Sequence, residues 1–244
     1  MKSGIKLPGL LLLGLTLLFS AVAPGLAAST VEGLSFSKKL KLARAGDQEA
    51  QISLGYDYEF GANAVRKDAV EALRWYREAA LVGNVEAQYR LAKLLTTGAQ
   101  GIAADPAAGF KLLQSAAAKG YAPSQNELGL RYQIGNGVKQ DVKRASDWFR
   151  KAAQQKLPQA QVNLGLLLIK GEGVAQDRKE ALKQFADAAK AGDIWGMNNL
   201  GSMYEMGWGT AKDLAKAKEL YGLAAAKGNA SAAANLKRLQ DKGL

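Results

Sequence analysis

The chain has 244 residues, of which 48% are hydrophobic and 23% are charged, so it can bury a core and is not expected to be disordered. It contains neither cysteine nor histidine. This excludes disulfides, thiolate nucleophiles, histidine general bases, Ser-His-Asp triads and nearly all zinc sites.

The formal net charge at pH 7 is +11, from 33 basic and 22 acidic residues. Basic residues are spread along the chain rather than gathered into one stripe, so nucleic acid is not an expected partner. Two interpretations of the charge stay open. It solvates the outer faces of helices, or it attracts an acidic protein or an anionic lipid.

The first predicted segment is residues 1–28, in which two lysines precede an apolar run that begins at Leu10 and is followed by Pro24 and small residues. This order is typical of a secretory signal peptide, with cleavage expected after Ala27 or Ala28. An uncleaved membrane anchor would need about 20 apolar residues, and this run is shorter. Because no cysteine can carry a lipid, we expect a periplasmic protein that is not lipidated.

From residue 46 onward the sequence repeats every 36 or 37 residues. A leucine followed by glycine or alanine identifies each copy, at Leu54, Leu91, Leu128, Leu164 and Leu200. Aspartates recur with the same period, at Asp68, Asp105, Asp141, Asp177 and Asp213. A period of this length indicates an array of stacked structural units.

Each repeat is predicted to contain two helices separated by a glycine turn. Ala50, Leu54 and Tyr58 share one face of the first helix. The recurring aspartate is the predicted N-cap of the second helix, as Asp105 before Pro106 illustrates. Glycines are expected to end the second helices in a left-handed conformation, with a lysine as the exception in repeat three. These residues are Gly83, Gly120, Lys156, Gly192 and Gly228.

One loop, GNGVKQD (residues 135–141), has the glycines and the lysine of an anion-binding loop before a helix. Glycine turns of this kind recur in all five repeats at the same phase. A phosphate site is needed only once, so we interpret the loop as a turn.

The fullest copy of the repeat, LGLRYQIGNGVKQDVKRASDWFRKAA (residues 128–153), resembles the Sel-one-like repeat family, a branch of the tetratricopeptide-like α/α solenoids. The resemblance covers about residues 46–244. It implies an all-α fold, a right-handed α/α superhelical solenoid of five two-helix repeats with a capping helix at each end, or 12 helices. Leu95 and Leu168 stand where the family has tyrosine, and Gly109, Gly196 and Lys156 also depart from its pattern, so we expect somewhat less tight packing in repeats two and four.

The expected domains are a signal peptide (1–28), an N-terminal capping helix (29–45) and the repeat solenoid (46–244). The repeats are about 46–82, 83–119, 120–155, 156–191 and 192–227, followed by a C-terminal capping helix (228–244). In the N-terminal cap, Lys39 occupies the position that is mostly aromatic in the repeats. A polar residue there is expected at the end of an open stack.

The resemblance implies that a concave groove lined by the first helices binds other proteins. A helical wheel places twelve candidate binding residues opposite the buried face: Ile52, Tyr56, Phe60, Tyr89, Lys93, Leu130, Ile134, Val162, Leu166, Ile169, Lys170 and Met206. This set is more apolar than a solvated face, and Tyr56, Phe60 and Tyr89 are the candidate anchors. The alternative is that superhelical winding buries some of them.

No catalytic residue, metal site or cofactor is expected. Asp57, Glu59 and Glu205 are lone carboxylates on helix faces predicted to be exposed to solvent, and they need no catalytic explanation. Trp208 has no counterpart in the other turns. It is either an exposed contact or packs over the neighbouring layer.

We therefore expect a non-enzymatic binder of another envelope protein or a secreted effector, with an acidic partner as one candidate. Proteins that look like this chain include immunity proteins against toxic phospholipase-type effectors, and such a stoichiometric inhibitor is the leading hypothesis. The alternatives are a regulator of a sensor kinase and a scaffold for cell-envelope or polysaccharide assembly. The sequence does not predict the oligomeric state.

Overall fold

The computed structural model describes residues 31–243, and this part of the chain forms twelve α-helices and no β-strand. The predicted signal peptide, residues 1–28, lies outside the described residues. The predicted all-α class is confirmed. The helices are α1 (Phe36–Arg44), α2 (Gln48–Phe60), α3 (Ala69–Leu81), α4 (Val85–Thr97), α5 (Pro106–Ala118), α6 (Ala122–Ile134), α7 (Val142–Gln154), α8 (Pro158–Lys170), α9 (Arg178–Lys190), α10 (Ile194–Met206), α11 (Leu214–Ala226) and α12 (Ala230–Asp241).

The helices belong to two compact units. Residues 31–157 hold α1 to α7, and residues 158–243 hold α8 to α12. Within each unit every helix packs against the next one in the chain, as expected for helices joined by short loops. The first helices of the five repeats are α2, α4, α6, α8 and α10, and the second helices are α3, α5, α7, α9 and α11.

Every second helix begins after an aspartate, as predicted. The carboxylate of Asp141 accepts a hydrogen bond from the backbone N–H of Arg144 at 2.9 Å, which satisfies a free donor of the first turn. The backbone N–H of Asp141 donates across the loop to the carbonyl of Tyr132 at 2.8 Å. The loop of residues 135–141 is therefore a closed turn. The same N-cap is formed by Asp68, Asp105, Asp177 and Asp213.

The second helices are followed by a residue in the left-handed conformation. Four of these residues are glycines with φ between 88° and 91°, and the fifth is Lys156 with φ 63°. Glycine adopts this conformation without strain, whereas the Cβ of any other residue approaches the backbone. Lys156 is therefore a strained position within residues 31–157.

Replacing Lys156 with glycine is expected to stabilise the protein. The left-handed conformation costs a residue with a Cβ about 1–2 kcal/mol, and the greater freedom of glycine in the unfolded chain offsets about 0.5–1 kcal/mol of that. The free energy of unfolding, measured by urea denaturation, should rise by about 0.5–1 kcal/mol. Lys227→Gly, at φ −93°, is the control and should lower it. A loss for Lys156→Gly would contradict the assigned strain.

The leucine-glycine pair of the repeat makes room for an aromatic ring on the second helix. A Cβ atom added to Gly129 would lie 2.5 Å from the ring of Phe149, which is fully buried. The same close approach joins three other pairs: Gly55 and Tyr76, Gly165 and Phe185, and Gly201 and Tyr221. In repeat two both partners differ, and Ala92 packs with Leu113 in one buried cluster. The larger side chain on one helix is matched by a smaller one on the other.

The expectation of looser packing is wrong at the two glycines that depart from the family pattern, Gly109 in repeat two and Gly196 in repeat five. A Cβ atom on Gly109 would collide with the Thr96 side chain, and one on Gly196 would lie 2.7 Å from the Ala188 Cβ. These two glycines occur where neighbouring helices approach more closely than alanine would permit.

A row of glutamines links the first helices α2, α4 and α6 to the helix before each of them. Gln51, Gln88 and Gln125 donate from Nε2 to the backbone carbonyl eight residues earlier, at 3.1, 3.4 and 3.2 Å. Those carbonyls lie in the last turn of the preceding helix, where few intrahelical donors remain. This row was not predicted, although glutamine recurs three residues before the repeat leucine in four of the five repeats and could have indicated a shared contact.

The N-terminal helix α1 is held by a buried ion pair, which corrects two expectations. Lys39 Nζ lies 2.8 Å from Oδ2 of Asp57, and the two side chains are only 4% and 1% exposed. Asn63 Nδ2 donates to the other carboxylate oxygen at 2.7 Å. Asp57 therefore does not face solvent. Lys39 does not present a polar group to solvent at the N-terminal cap either, because its ammonium is buried and paired with Asp57. Repeats two, four and five bury an apolar residue at the position of Asp57: Leu94, Leu167 and Met203.

Candidate protein-binding surface

In residues 31–157, exposed or half-buried side chains occupy the positions two and six residues after each repeat leucine. These positions hold Tyr56 and Phe60 on α2, Lys93 and Thr97 on α4, and Leu130 and Ile134 on α6. We use the name aromatic surface for six of the predicted binding residues in this unit: Tyr56, Phe60, Tyr89, Lys93, Leu130 and Ile134.

Two aromatic rings form one end of the aromatic surface. The ring centroids of Tyr56 and Phe60 lie 4.6 Å apart with the planes tilted by 49°. Tyr56 is 39% exposed, and the Arg90 guanidinium carbon lies 5.4 Å from its ring centroid. Because Arg90 belongs to α4, this cation–π contact connects two successive first helices.

Tyr89 is half-buried and packs against its neighbours in the unit. Its ring packs against the buried cluster that contains Leu128, and it lies 5.8 Å from the ring of Tyr121 in an edge-on arrangement. Burial, together with the nearby Glu127 carboxylate, raises the pKa of Tyr89 to about 12. Its hydroxyl therefore stays protonated at neutral pH and can donate a hydrogen bond.

The aliphatic end of the aromatic surface lies on α6. Ile134 is 46% exposed, a large fraction for an isoleucine, and Leu130 is half-buried. The structure thus brings together six predicted residues on three successive first helices of one unit.

In residues 158–243, three predicted residues remain accessible. Lys170 and Met206 are exposed, and Leu166 is half-buried. Lys170 Nζ lies 3.7 Å from a carboxylate oxygen of Glu172, a weak pair at the surface.

Two predicted binding residues are wrongly placed by the helical wheel. Val162 is 7% exposed and Ile169 is 6% exposed, so neither is available to a partner. Both lie on α8, where Leu167, Leu168 and Ile169 are all buried. Three successive residues span most of a helix circumference, so α8 does not have the single buried face that the wheel assumed.

The positions of Val162 and Ile169 explain their burial. In repeat five the position of Val162 is Asn198, whose Oδ1 accepts a hydrogen bond from Asn235 on α12 at 3.2 Å, so this position faces the next helix of the row. Ile52 has the same position in repeat one, and it packs half-buried against the cluster that contains residues of α4. Ile169 stands five residues after the leucine, where the side chain faces the aromatic residue of the second helix.

The position of Ile169 is occupied by glutamate in repeats one and five. There the hydroxyl of Tyr76 donates to Glu59 at 2.8 Å, and the hydroxyl of Tyr221 donates to Glu205 at 2.9 Å. Burial acts to raise the pKa of Glu205, but hydrogen bonds from Arg238 and Tyr221 outweigh it and hold the pKa below its ordinary value. Both glutamates therefore have structural partners in the helix layers.

Trp208 packs over a neighbouring element rather than standing free. It is half-buried, and the Arg178 guanidinium carbon lies 4.5 Å from its ring centroid. Arg178 begins α9, so this contact joins the turn of repeat five to repeat four. Of the two sequence interpretations, the structure favours packing.

The repeats of the chain match a known family of repeats. The model for the Sel1 repeat matches the chain five times in succession, at residues 48–84, 85–121, 122–157, 158–193 and 196–229. The chain belongs to the Sel1 repeat family. The resemblance noted in the sequence is confirmed, and with it the all-α solenoid of five repeats.

Solved and curated proteins are similar to this chain. The protective antigen c5321 of uropathogenic Escherichia coli is 30% identical with a TM-score of 0.75, and the match covers 85% of this chain and 44% of that one. Immunity protein PA5088 of Pseudomonas aeruginosa is 24% identical with a TM-score of 0.54, covering 76% and 67%, and shows the fold alone. Chitin synthase regulatory factor 3 of Schizosaccharomyces pombe is 34% identical over 116 residues, which are 46% of this chain and 12% of that protein.

The chain therefore spans less than half the length of the antigen and about an eighth of the length of the fungal factor. Sel1 repeat solenoids are typically non-enzymatic scaffolds for protein interaction. Within residues 31–243 no cluster of three or more acidic side chains is arranged to hold a metal ion. None of the helices in the same range is long and apolar enough to cross a bilayer.

The sequence did not lead us to predict two exposed apolar sites in the Sel1 repeats. Leu81 and Val82, at the end of α3, are 75% and 66% exposed, and Trp195 in the first turn of α10 is half exposed. The signal was their departure from the repeat, because the other copies have small or polar residues at the positions of Leu81 and Val82, and none has an aromatic residue at that of Trp195.

The excess positive charge does not lie on the aromatic surface. Helices α2, α4 and α6 carry three basic and five acidic residues, whereas α3, α5 and α7 carry seven basic and three acidic residues. The net charge of the chain therefore gives no reason to expect a generally acidic partner at the first helices.

Proposed function

We propose that this chain binds another protein through the aromatic surface. One observation carries the proposal: the rings of Tyr56 and Phe60 lie 4.6 Å apart on α2 with Tyr56 39% exposed, and half-buried Tyr89 lies on the next first helix. Aromatic side chains are enriched in the cores of protein interfaces, and tyrosine is enriched among the few residues that dominate the binding energy. Leu130 and Ile134 extend the apolar area on the next first helix.

The role that we propose is a stoichiometric inhibitor in the periplasm, such as an immunity protein that neutralises a toxic phospholipase-type effector. The predicted signal peptide supports the compartment, because it would deliver the chain to the place where such an effector acts. The solved structure of PA5088, a protein described as an immunity protein, has this fold and supports the proposal.

Regulation of a larger machine is the second candidate, as a regulator of a sensor kinase or a scaffold for cell-envelope or polysaccharide assembly. The observation that favours it is the sequence likeness to a chitin synthase regulatory factor, a protein named for control of polysaccharide synthesis. In both roles the partner is a protein and the chain performs no catalysis.

The variant Tyr56→Ala/Phe60→Ala should bind the partner about 1,000-fold more weakly than the wild type, because each buried aromatic anchor contributes about 2 kcal/mol to binding and about 1.4 kcal/mol corresponds to a tenfold change in affinity. The partner is first isolated by co-purification from periplasm, and its affinity for each variant is then measured by calorimetry. Leu81→Ala/Val82→Ala is the matched control, since it removes two exposed apolar residues from another part of the same unit. Retention of the partner by a folded Tyr56→Ala/Phe60→Ala variant would contradict the proposal.

The isolated partner also separates the two roles. For an immunity protein, one equivalent of the chain should abolish phospholipase activity of the partner on lipid vesicles. A partner that is a sensor kinase or a component of a polysaccharide synthase would instead support regulation and contradict the inhibitor role.

A further inference from the structure

The first helices of residues 31–157 carry three cationic side chains, and two of them are already paired. Arg90 donates to Glu86 at 2.9 and 2.8 Å, and Arg131 donates to Glu127. In each pair the glutamate stands four residues before the arginine, on the same helix face. These pairs leave little charge available to a partner.

Lys93 differs from the two arginines. The residue four positions before it is Tyr89, so the Lys93 ammonium faces an aromatic ring, with its nitrogen 5.7 Å from the ring centroid. Within the part of the chain that the structure describes, no carboxylate lies within 4.0 Å of it. Lys93 is thus an exposed cation that lacks the partner its counterparts have.

The position of Lys93 places this cation between apolar groups. It stands two residues after the repeat leucine, the position held by Tyr56 on the first helix before it and by Leu130 on the first helix after it. A protein that covers Tyr56 and Leu130 would exclude water from around Lys93. An ion pair formed there would be stronger than one at an open surface, whereas an uncompensated lysine would oppose binding.

We propose, building on the proposed function, that the partner presents to the aromatic surface a segment with one carboxylate flanked on both sides by apolar side chains, and that Lys93 selects this segment. Neighbouring helices lie about 8–10 Å apart, and an extended chain advances about 3.3 Å per residue. The apolar residues of the segment therefore fall about three positions before and after the acidic one.

The charge distribution favours a protein segment over an anionic lipid surface. A membrane attracts a broad basic patch, and the excess positive charge of this unit lies on α1, α3, α5 and α7 rather than beside Lys93. A single unpaired cation among apolar side chains instead recognises one carboxylate at a defined position.

Selection from a random peptide library displayed on phage tests the inference. The baits are the purified full chain and three variants: Lys93→Glu, Tyr56→Ala/Phe60→Ala, and Lys111→Glu, which makes the same charge change as Lys93→Glu at an exposed lysine on α5. The wild type and Lys111→Glu should enrich peptides with an acidic residue between two apolar ones. Lys93→Glu should enrich a basic residue at that place and should bind the best wild-type peptide about tenfold more weakly.

Enrichment of peptides without the acidic residue, or retention of the acidic residue by Lys93→Glu, would overturn the inference while leaving the proposed function intact. Binding of phosphatidylglycerol vesicles by the wild type that is lost in Lys93→Glu would also overturn it, in favour of a lipid. One further outcome would contradict the proposed function itself. If the wild type enriches no peptide beyond those bound by Tyr56→Ala/Phe60→Ala, the aromatic surface is not a binding site and the inference fails with it.

Discussion

Replacing Lys39 with methionine is expected to lower the free energy of unfolding by about 3 kcal/mol, because it leaves the buried carboxylate of Asp57 without its cation. The remaining hydrogen bond from Asn63 compensates only in part. Interactions in a repeat array are local, so the loss should appear first as detachment of α1. Urea denaturation measures the total loss, and amide hydrogen exchange in α1 locates it.

The double variant Lys39→Met/Asp57→Leu should regain most of that stability and unfold within about 1 kcal/mol of the wild type. It reproduces the apolar residues that other repeats bury at the position of Asp57. Arg74→Met is the control, because it breaks an exposed ion pair with Glu71 and should change stability by less than about 1 kcal/mol. A double variant as unstable as Lys39→Met would contradict the view that the unpaired charge causes the loss.

Replacing Gly129 with alanine is expected to destabilise the protein by about 2 kcal/mol. The added methyl group would lie 2.5 Å from the ring of Phe149, which is fully buried and has no free space to move into. Overpacking of this kind costs about 3 kcal/mol, and the better helix propensity of alanine offsets about 1 kcal/mol of it. The midpoint of thermal unfolding should fall by about 4–8 °C.

A compensating change exists within the same chain. Gly129→Ala/Phe149→Leu recreates the pair formed by Ala92 and Leu113 in repeat two, so its loss should be smaller than the sum of the single losses by at least about 1 kcal/mol. Gly222→Ala on α11 is the control, because its added methyl group meets nothing within 4 Å and should stabilise the helix. Additive losses in the double variant would contradict the size-matching account.

Local features of the fold could be predicted from the sequence because they depend on neighbouring residues. The aspartate N-caps and the glycine turns follow from backbone chemistry within a few positions of each residue. The period of 36 or 37 residues then fixes how often each feature recurs. These signals were sufficient for the helices and for the all-α repeat solenoid.

Features that depend on several neighbouring helices could not be predicted in the same way. The helical wheel assumed one buried face for each first helix, but Val162 and Ile169 are buried because first helices also contact other helices of the stack. The ion pair between Lys39 and Asp57 joins residues 18 positions apart, and no local pattern indicates that both are buried. Tyr56 and Ile134 remain exposed because their positions face neither the second helix nor the next first helix, whereas Tyr89 shares the position of Val162 and is half-buried against the cluster that contains Leu128.

Hydroxyl-radical footprinting of the complex with its purified partner tests most directly the central claim, that the first helices of residues 31–157 bind another protein. The account predicts that oxidation of Tyr56 and Phe60 falls strongly on binding, while oxidation of Leu81 and Trp195 stays as in the free chain. Protection of Leu81 or Trp195 with Tyr56 and Phe60 as reactive as before would contradict it.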